Sequence, residues 1–161
     1  MEILIRPIEA RDNAAIALII RTALEEFGAN KPGTVYFDAS TDNLHALFNN
    51  QAGSAYFVAE SGGLLLGGAG IFPTEGLPER VCELVKMYLA KDARGKGLGQ
   101  KMIHHVINWA KAYGYQTVYL ETMPKLSKAV KVYEQFGFQY LEAPMGNSGH
   151  SGCDLWMSKL L

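Results

Sequence analysis

Arg94-Gly95-Lys96-Gly97-Leu98-Gly99 sets three glycines in five positions, where an amphipathic helix begins that reads on to Tyr113. Glycine lets the backbone take positive φ and come close to a ligand. A helix N-terminus presents unpaired N–H groups and a partial positive charge. Together these suit phosphate oxygens, and Arg94 and Lys96 add charge at the same place. Spacing separates the known phosphate loops. A Walker loop requires G-x-x-x-x-G-K-[ST]; counted from Gly95, Gln100-Lys101 is followed by Met102, which breaks it. The dinucleotide fingerprint requires G-x-G-x-x-G, and the third glycine here comes one residue early. What remains is R-x-x-G-x-G, built from Arg94, Gly97 and Gly99. The plain alternative is a glycine-rich turn before an ordinary helix.

Glu83 is the second residue with chemical potential. It stands among Val81, Leu84 and Val85 in an apolar stretch that runs to Leu89. A carboxylate there is costly to bury without a partner, and desolvation raises its pKa toward the range of a general base. The alternative is a solvated glutamate at a strand end, or one paired with a lysine or arginine.

These residues need elements to position them. Ile3 to Arg6 reads as a short strand stopped by Pro7, and Asp12 as an N-cap. Ile16, Ile20, Ala23 and Phe27 recur with helical spacing, and Gly28 ends that helix. Lys31 to Ser40 reads as loop and Asp42 to Asn50 as a short helix. Ala55 to Glu60 and Leu64 to Phe72 form a hairpin about Ser61-Gly62-Gly63, and Val81 to Leu89 reads as a long central strand. Beyond the glycines, Leu98, Met102, Val106, Trp109 and Tyr113 make a helical stripe capped by Gly114. Thr117 to Glu121 reads as a strand, Leu126 to Phe136 as a helix, and Phe138 to Leu141 and Gly152 to Lys159 as the last strands. The expected fold is a mixed α/β sheet of about seven strands with about four helices against it, in one domain spanning residues 1–161.

The glycine loop resembles the acyl-CoA loop of the GNAT superfamily of N-acetyltransferases, and other segments match in order. Glu83-Leu84-Val85-Lys86-Met87-Tyr88-Leu89 leads into the loop as the family's fourth strand does, and Leu120-Glu121 matches its fifth. Ala129 to Phe138 is similar to the signature A-x-x-x-Y-E-x-x-G-F. The opening Ile5-Arg6-Pro7 before an Asp-led helix is also typical. The resemblance covers essentially the whole chain. It implies a mostly antiparallel twisted sheet and acetyl transfer from acetyl-CoA to a primary amine by direct attack in a ternary complex. A non-catalytic acyl-CoA sensor on the same fold is the alternative from another class. A nucleotide-binding protein is disfavoured by the loop spacings.

Carried over residue by residue, the resemblance assigns the cofactor to Arg94, Gly95, Lys96, Gly97, Leu98, Gly99 and Gln100. Met87, Tyr88 and Leu89 would offer backbone groups to the pantetheine arm in a form of strand addition. Family members often carry Asn seven residues before the tyrosine of the signature; here that position is Leu126, with Ser127 beside it as the substitute contact. Glu83, eleven residues before Arg94, matches the catalytic glutamate of the histone acetyltransferase branch. Tyr133 is the acid that would protonate the leaving thiolate; packed in the core, it would be structural instead. The acceptor would approach from the opposite side of the sheet opening. Two loops can wall that side: one holding Phe27, Asn30, Val35, Tyr36 and Phe37, the other holding Met145, Asn147, Ser148 and His150. Alternatively Tyr36 and Phe37 only cover the sheet edge, leaving His150 in solvent.

Composition narrows the partners. A chain of 161 residues with net charge −1 has no electrostatic case for nucleic acid or a membrane. Lys86, Lys91, Arg94, Lys96 and Lys101 cluster locally, as suits a small anionic ligand. Cys82 and Cys153 fall in strand-like segments and make no disulfide framework, which favours a reducing cytoplasm. The first residues have no signal-peptide pattern, and Ala14 to Ile20 is too short to span a bilayer. His45 and His150 combine with neither cysteine at a metal-ligand spacing, so no metal is expected. The sequence leaves a homodimer open.

Overall fold

The strand Ala55–Ser61 (β2) defines the two faces of the sheet. Phe57 and Ala59 enter one buried cluster, while Tyr56 and Val58 enter another, as the period-two alternation of a strand requires. The computed structural model describes residues 2–161. Its other elements in chain order are β1 (Leu4–Pro7), α1 (Asn13–Glu26) and α2 (Leu44–Asn49), then β3 (Leu64–Phe72), β4 (Val81–Leu89), α3 (Leu98–Tyr113) and β5 (Thr117–Thr122), and last α4 (Ser127–Gln135), β6 (Gln139–Leu141) and β7 (Leu155–Leu160). The seven strands lie in the order β1-β2-β3-β4-β5-β7-β6. Residues of α3 and α4 fill the cluster on one face and residues of α1 and α2 the cluster on the other. This is the mixed α/β architecture expected from the sequence.

One neighbour pair breaks the antiparallel pattern. β4 and β5 run parallel and pair only at Val81–Thr117, Cys82–Val118 and Glu83–Tyr119. Beyond Glu83 the two strands part, which opens the sheet just where the glutamate stands. β4 stays paired with β3, but with a bulge: Tyr88 faces Gly68 while Val85 faces Gly70, so β4 carries one extra residue. Lys86 in the bulge has φ 51°, unusual for a side chain with a Cβ. The Tyr56 hydroxyl donates to the Lys86 carbonyl at 2.7 Å. Its ring can pass there because β3 has no side chains in the way. A Cβ on Gly68 or Gly70 would lie 2.6 Å from the Tyr56 ring.

Several boundaries differ from expectation. Asp12 holds the N-cap position of α1, but its side chain makes no capping bond to that helix. Its carboxylate accepts from the Glu9 N–H at 2.8 Å and pairs with Arg6 at 2.8 and 3.0 Å, closing a single 3₁₀ turn (Ala10–Asp12) placed before the helix. The second helix begins as a 3₁₀ segment, Ala39–Asn43, and the preceding loop holds another such turn, Val35–Phe37. The last strand starts at Leu155, so Cys153 lies in the turn before it, where its N–H donates to the His150 carbonyl. In α3 the buried face is Leu98, Met102, Ile103, Val106, Ile107 and Ala110; Trp109 and Tyr113 stack on each other at its edge instead.

Candidate active site

Two clefts flank the sheet opening. The first, a cavity of about 380 Å³, is lined by Met87, Tyr88 and Leu89 on one side and by Leu126, Ala129, Val132 and Tyr133 on the other. Gly95, Gly97, Gly99 and Gln100 close one end. Gly97 is the N-cap of α3 with φ 82°, a left-handed conformation that favours glycine. The first intrahelical bond runs from Lys101 N–H to the Gly97 carbonyl, so the N–H groups of Leu98, Gly99 and Gln100 have no acceptor within the helix. The Leu98 side chain is core, leaving only its backbone for a ligand. Tyr133 is buried apart from the cleft it lines, and desolvation pushes its phenol up to about 12.

Arg94 lines the first cleft as expected, but its guanidinium is also engaged within the protein. Its Nε and Nη2 donate to the Leu89 carbonyl at 3.1 and 3.0 Å, and its Nη1 donates to Glu26 at 2.5 Å. The guanidinium lies 4.9 Å over the Phe27 ring. It therefore braces the end of β4 against the end of α1, with most of its charge already matched. This contact also moves Phe27, expected on the acceptor side, into the first cleft. Ser127 is exposed at the start of α4, outside the cleft lining, and Leu126 takes the N-cap position and lines the cleft. Lys96 is exposed outside the lining, and Lys128, which sequence reasoning missed, is the lysine that lines the cleft.

The second cleft, about 260 Å³, contains Glu83, Lys86 and His150 with Asp38, Thr74 and Ser148, against an apolar wall of Leu47, Phe48, Phe72 and Val85. Glu83 is only 3 % exposed and accepts from the Thr74 hydroxyl at 2.5 Å. Burial raises its pKa to about 7; the Thr74 hydrogen bond works against this, and the nearby Glu121 carboxylate adds to it. Glu121 is held by the Tyr119 hydroxyl at 2.6 Å and by the Ser148 hydroxyl. His150 Nε2 lies 2.7 Å from Asp38, joining the loop before α2 to the loop before β7. Of the loop residues expected here, Asn147, Ser148 and His150 are present. Tyr36 instead donates to Glu25, and Phe37 is 60 % exposed; neither lines the cleft. Lys86, grouped in the sequence with the basic residues near the glycine loop, belongs to this cleft, because the bulge turns it to the Glu83 side.

Glu83, Glu121 and His150 bring one ligand atom each within 4.8 Å of one another. Each is already engaged, by Thr74, by Tyr119 and Ser148, and by Asp38 respectively. The group is thus a hydrogen-bonded acid–base cluster. Asp38 and Glu121 were absent from the sequence-level site, although an acidic residue in an apolar strand, as Glu121 is, carries the same signal that singled out Glu83.

Residues 19–138 match the family described as Acetyltransferase (GNAT) family. The chain belongs to the GNAT acetyltransferase family. It is 38% identical over 158 residues, 97% of its length and 93% of the relative's, to the uncharacterized N-acetyltransferase YjgM of Escherichia coli (strain K12). A GNAT-family acetyltransferase from Staphylococcus aureus superposes with a TM-score of 0.87 at 18% identity, covering 99% of both chains. A putative acetyltransferase from Salmonella typhimurium, solved with acetyl-CoA, superposes with a TM-score of 0.75 at 21% identity over 99% of this chain and 94% of that one. As a GNAT enzyme the chain is an acyltransferase. Among the described residues no helix is long and apolar enough to cross a membrane.

Proposed function

We propose that the chain moves an acetyl group from acetyl-CoA to a primary amine of a small molecule or protein, by direct attack within a ternary complex. The observation that carries this reading is a buried carboxylate with its pKa near neutrality in one cleft and a protonated phenol in the other, on either side of the same strand parting. The glycine cradle at the start of α3 fits the phosphates of CoA, and the apolar walls beside Met87 and Leu126 fit its arm. An amine with the reference pKa of about 10.4 is almost fully protonated at neutral pH. Glu83 takes one proton from the ammonium, the nitrogen attacks the thioester carbonyl, the C–S bond breaks, Tyr133 gives a proton to the thiolate, and the second proton shed by the new amide nitrogen restores the phenol. No covalent enzyme intermediate is needed. The chain acts as one domain, and its two unpaired cysteines suit the reducing cytoplasm.

The test is free-thiol release from acetyl-CoA across a panel of amines, with binding of acetyl-CoA, ATP and NADH compared by thermal shift. Stabilisation by acetyl-CoA without release for any amine would leave a sensor in place of an enzyme. Gly99→Val checks the cradle. A Cβ at Gly99 meets only Met87 and Leu89 side-chain atoms, at 3.7 and 3.9 Å, and its φ is not strained. The variant should therefore fold, yet intrude on the cleft and weaken acetyl-CoA binding by tenfold or more; wild-type affinity would remove the phosphates from this loop. On the acceptor side, His150→Ala should raise the acceptor KM and leave acetyl-CoA affinity alone, while Tyr36→Ala changes neither. A matching rise in Tyr36→Ala would put the acceptor on the outer face of the loop.

A further inference from the structure

Within the acetyl-transfer reading on which this inference rests, the second cleft narrows the class of acceptor. The Lys86 ammonium faces it from a side chain only 7% exposed. Its sole ion-pair partner among the described residues is Asp38 Oδ2 at 3.5 Å, long for a charge-assisted hydrogen bond. The same oxygen is held at 2.7 Å by His150. An ammonium has three donors to satisfy, and a buried cation so weakly paired is costly unless an anion joins it.

The backbone shows that Lys86 is held in this place against its own preference. Simple strand alternation would point Lys86 away from Glu83 and Val85. The bulge and its positive φ bring all three into one cleft, and the Tyr56 hydroxyl holds the Lys86 carbonyl there. Strain of this kind persists only where the surroundings enforce it, and it concentrates at functional sites. Beside Lys86 stands the apolar wall of Phe48, Phe72 and Val85.

We propose that the acceptor is an amino acid with an apolar side chain, its carboxylate held by Lys86, its amine facing Glu83 and its side chain against Phe48 and Phe72. The product is the N-acetyl amino acid. The ammonium gives one proton to Glu83, the C–N bond forms as the C–S bond breaks, Tyr133 protonates the thiolate and recovers a proton from the new amide nitrogen, and nothing is oxidised or reduced. The same ammonium repels di- and polyamines.

The experiment compares kcat/KM for leucine and phenylalanine with isoamylamine and phenethylamine, which lack the carboxylate, with phenylalaninamide, which neutralises it, and with putrescine. The expected result is a preference for the free amino acids of about tenfold or more, the scale of one charged hydrogen bond. Lys86→Met should collapse that ratio, chiefly through the acceptor KM, and Lys86→Arg should restore part of it. Equal or better turnover of isoamylamine, phenethylamine or putrescine would overturn the inference while leaving acetyl transfer intact. A preference that survives in Lys86→Met would overturn it as well. Absence of thiol release with every amine would overturn the transfer reading itself. Should Lys86→Met fail to fold by thermal melting, the wild-type ratios alone decide.

Discussion

Tyr133→Phe retains acetyl-CoA affinity and loses about 10²–10⁴-fold in kcat, the usual worth of a positioned general acid. The substitution keeps the ring that packs edge-on against Phe138, with centroids 5.9 Å apart, and removes only the hydroxyl. A phenol pushed up to about 12 by burial is fully protonated at neutral pH, so the proton is always available. A thiolate in water is too weak a base to draw it. The cleft changes that comparison, because desolvation raises a thiol as it does a phenol. The chain's own thiols, of buried Cys82 and half-buried Cys153, are both pushed up to about 12. A thiolate formed against the apolar walls of the cleft is raised in the same direction, which brings it closer to the Tyr133 phenol. Stopped-flow or steady-state thiol release, with acetyl-CoA affinity measured in parallel, decides the matter. Wild-type kcat in Tyr133→Phe would make the residue a packing tyrosine, and weakened acetyl-CoA binding would make it a cofactor contact.

The glycine turn that closes the first cleft was legible because it is local. Gly95, Gly97 and Gly99 act through backbone within one turn, and the turn sits in the sequence as it sits in space. Glu83 was legible for a similar reason, since a lone carboxylate in an apolar strand announces its burial. The second cleft was legible only in part: Asn147, Ser148 and His150 were expected on the Glu83 side, and Asp38 was not. Asp38, Glu121 and His150 meet across three segments far apart in the chain, and no periodicity records that meeting. The side taken by Lys86 was hidden by one residue of bulge, which reverses the face of a side chain while leaving the strand pattern unchanged. Phe27 was misplaced because its loop reads as a free aromatic segment, whereas Arg94, many residues later, draws it beneath its guanidinium. Asp12 fits the composition of an N-cap, yet Arg6 claims it. In each case a long-range partner overrode a correct local tendency.

Glu83→Gln makes the enzyme slower and the protein more stable. Glu83 loses its proton near pH 7, because burial raises it from the ordinary carboxylate range to about 7. As the base, it is competent only above that point, so wild-type kcat/KM falls on the acid side of neutrality and the Gln variant loses that limb. The same shift acts on folding with the opposite sense. In the unfolded chain the carboxyl ionises near the reference value of about 4.3. Between that pH and about 7 the folded state holds a proton that the unfolded state has released, so stability falls as pH rises through this window and the loss is complete above it. At about 1.4 kcal/mol for each pH unit, the loss is on the order of 4 kcal/mol. Gln keeps a carbonyl oxygen to accept from Thr74 and carries no charge to desolvate. Its melting temperature should exceed the wild type's by several degrees at pH 8, since a domain of this size shifts about 2–4 °C per kcal/mol, and the gap should close toward pH 4. Parallel melting curves across that range would mean the carboxylate is solvated or paired when ionised. An acid limb that persists in Glu83→Gln at the same pH would move the base to His150 or to water.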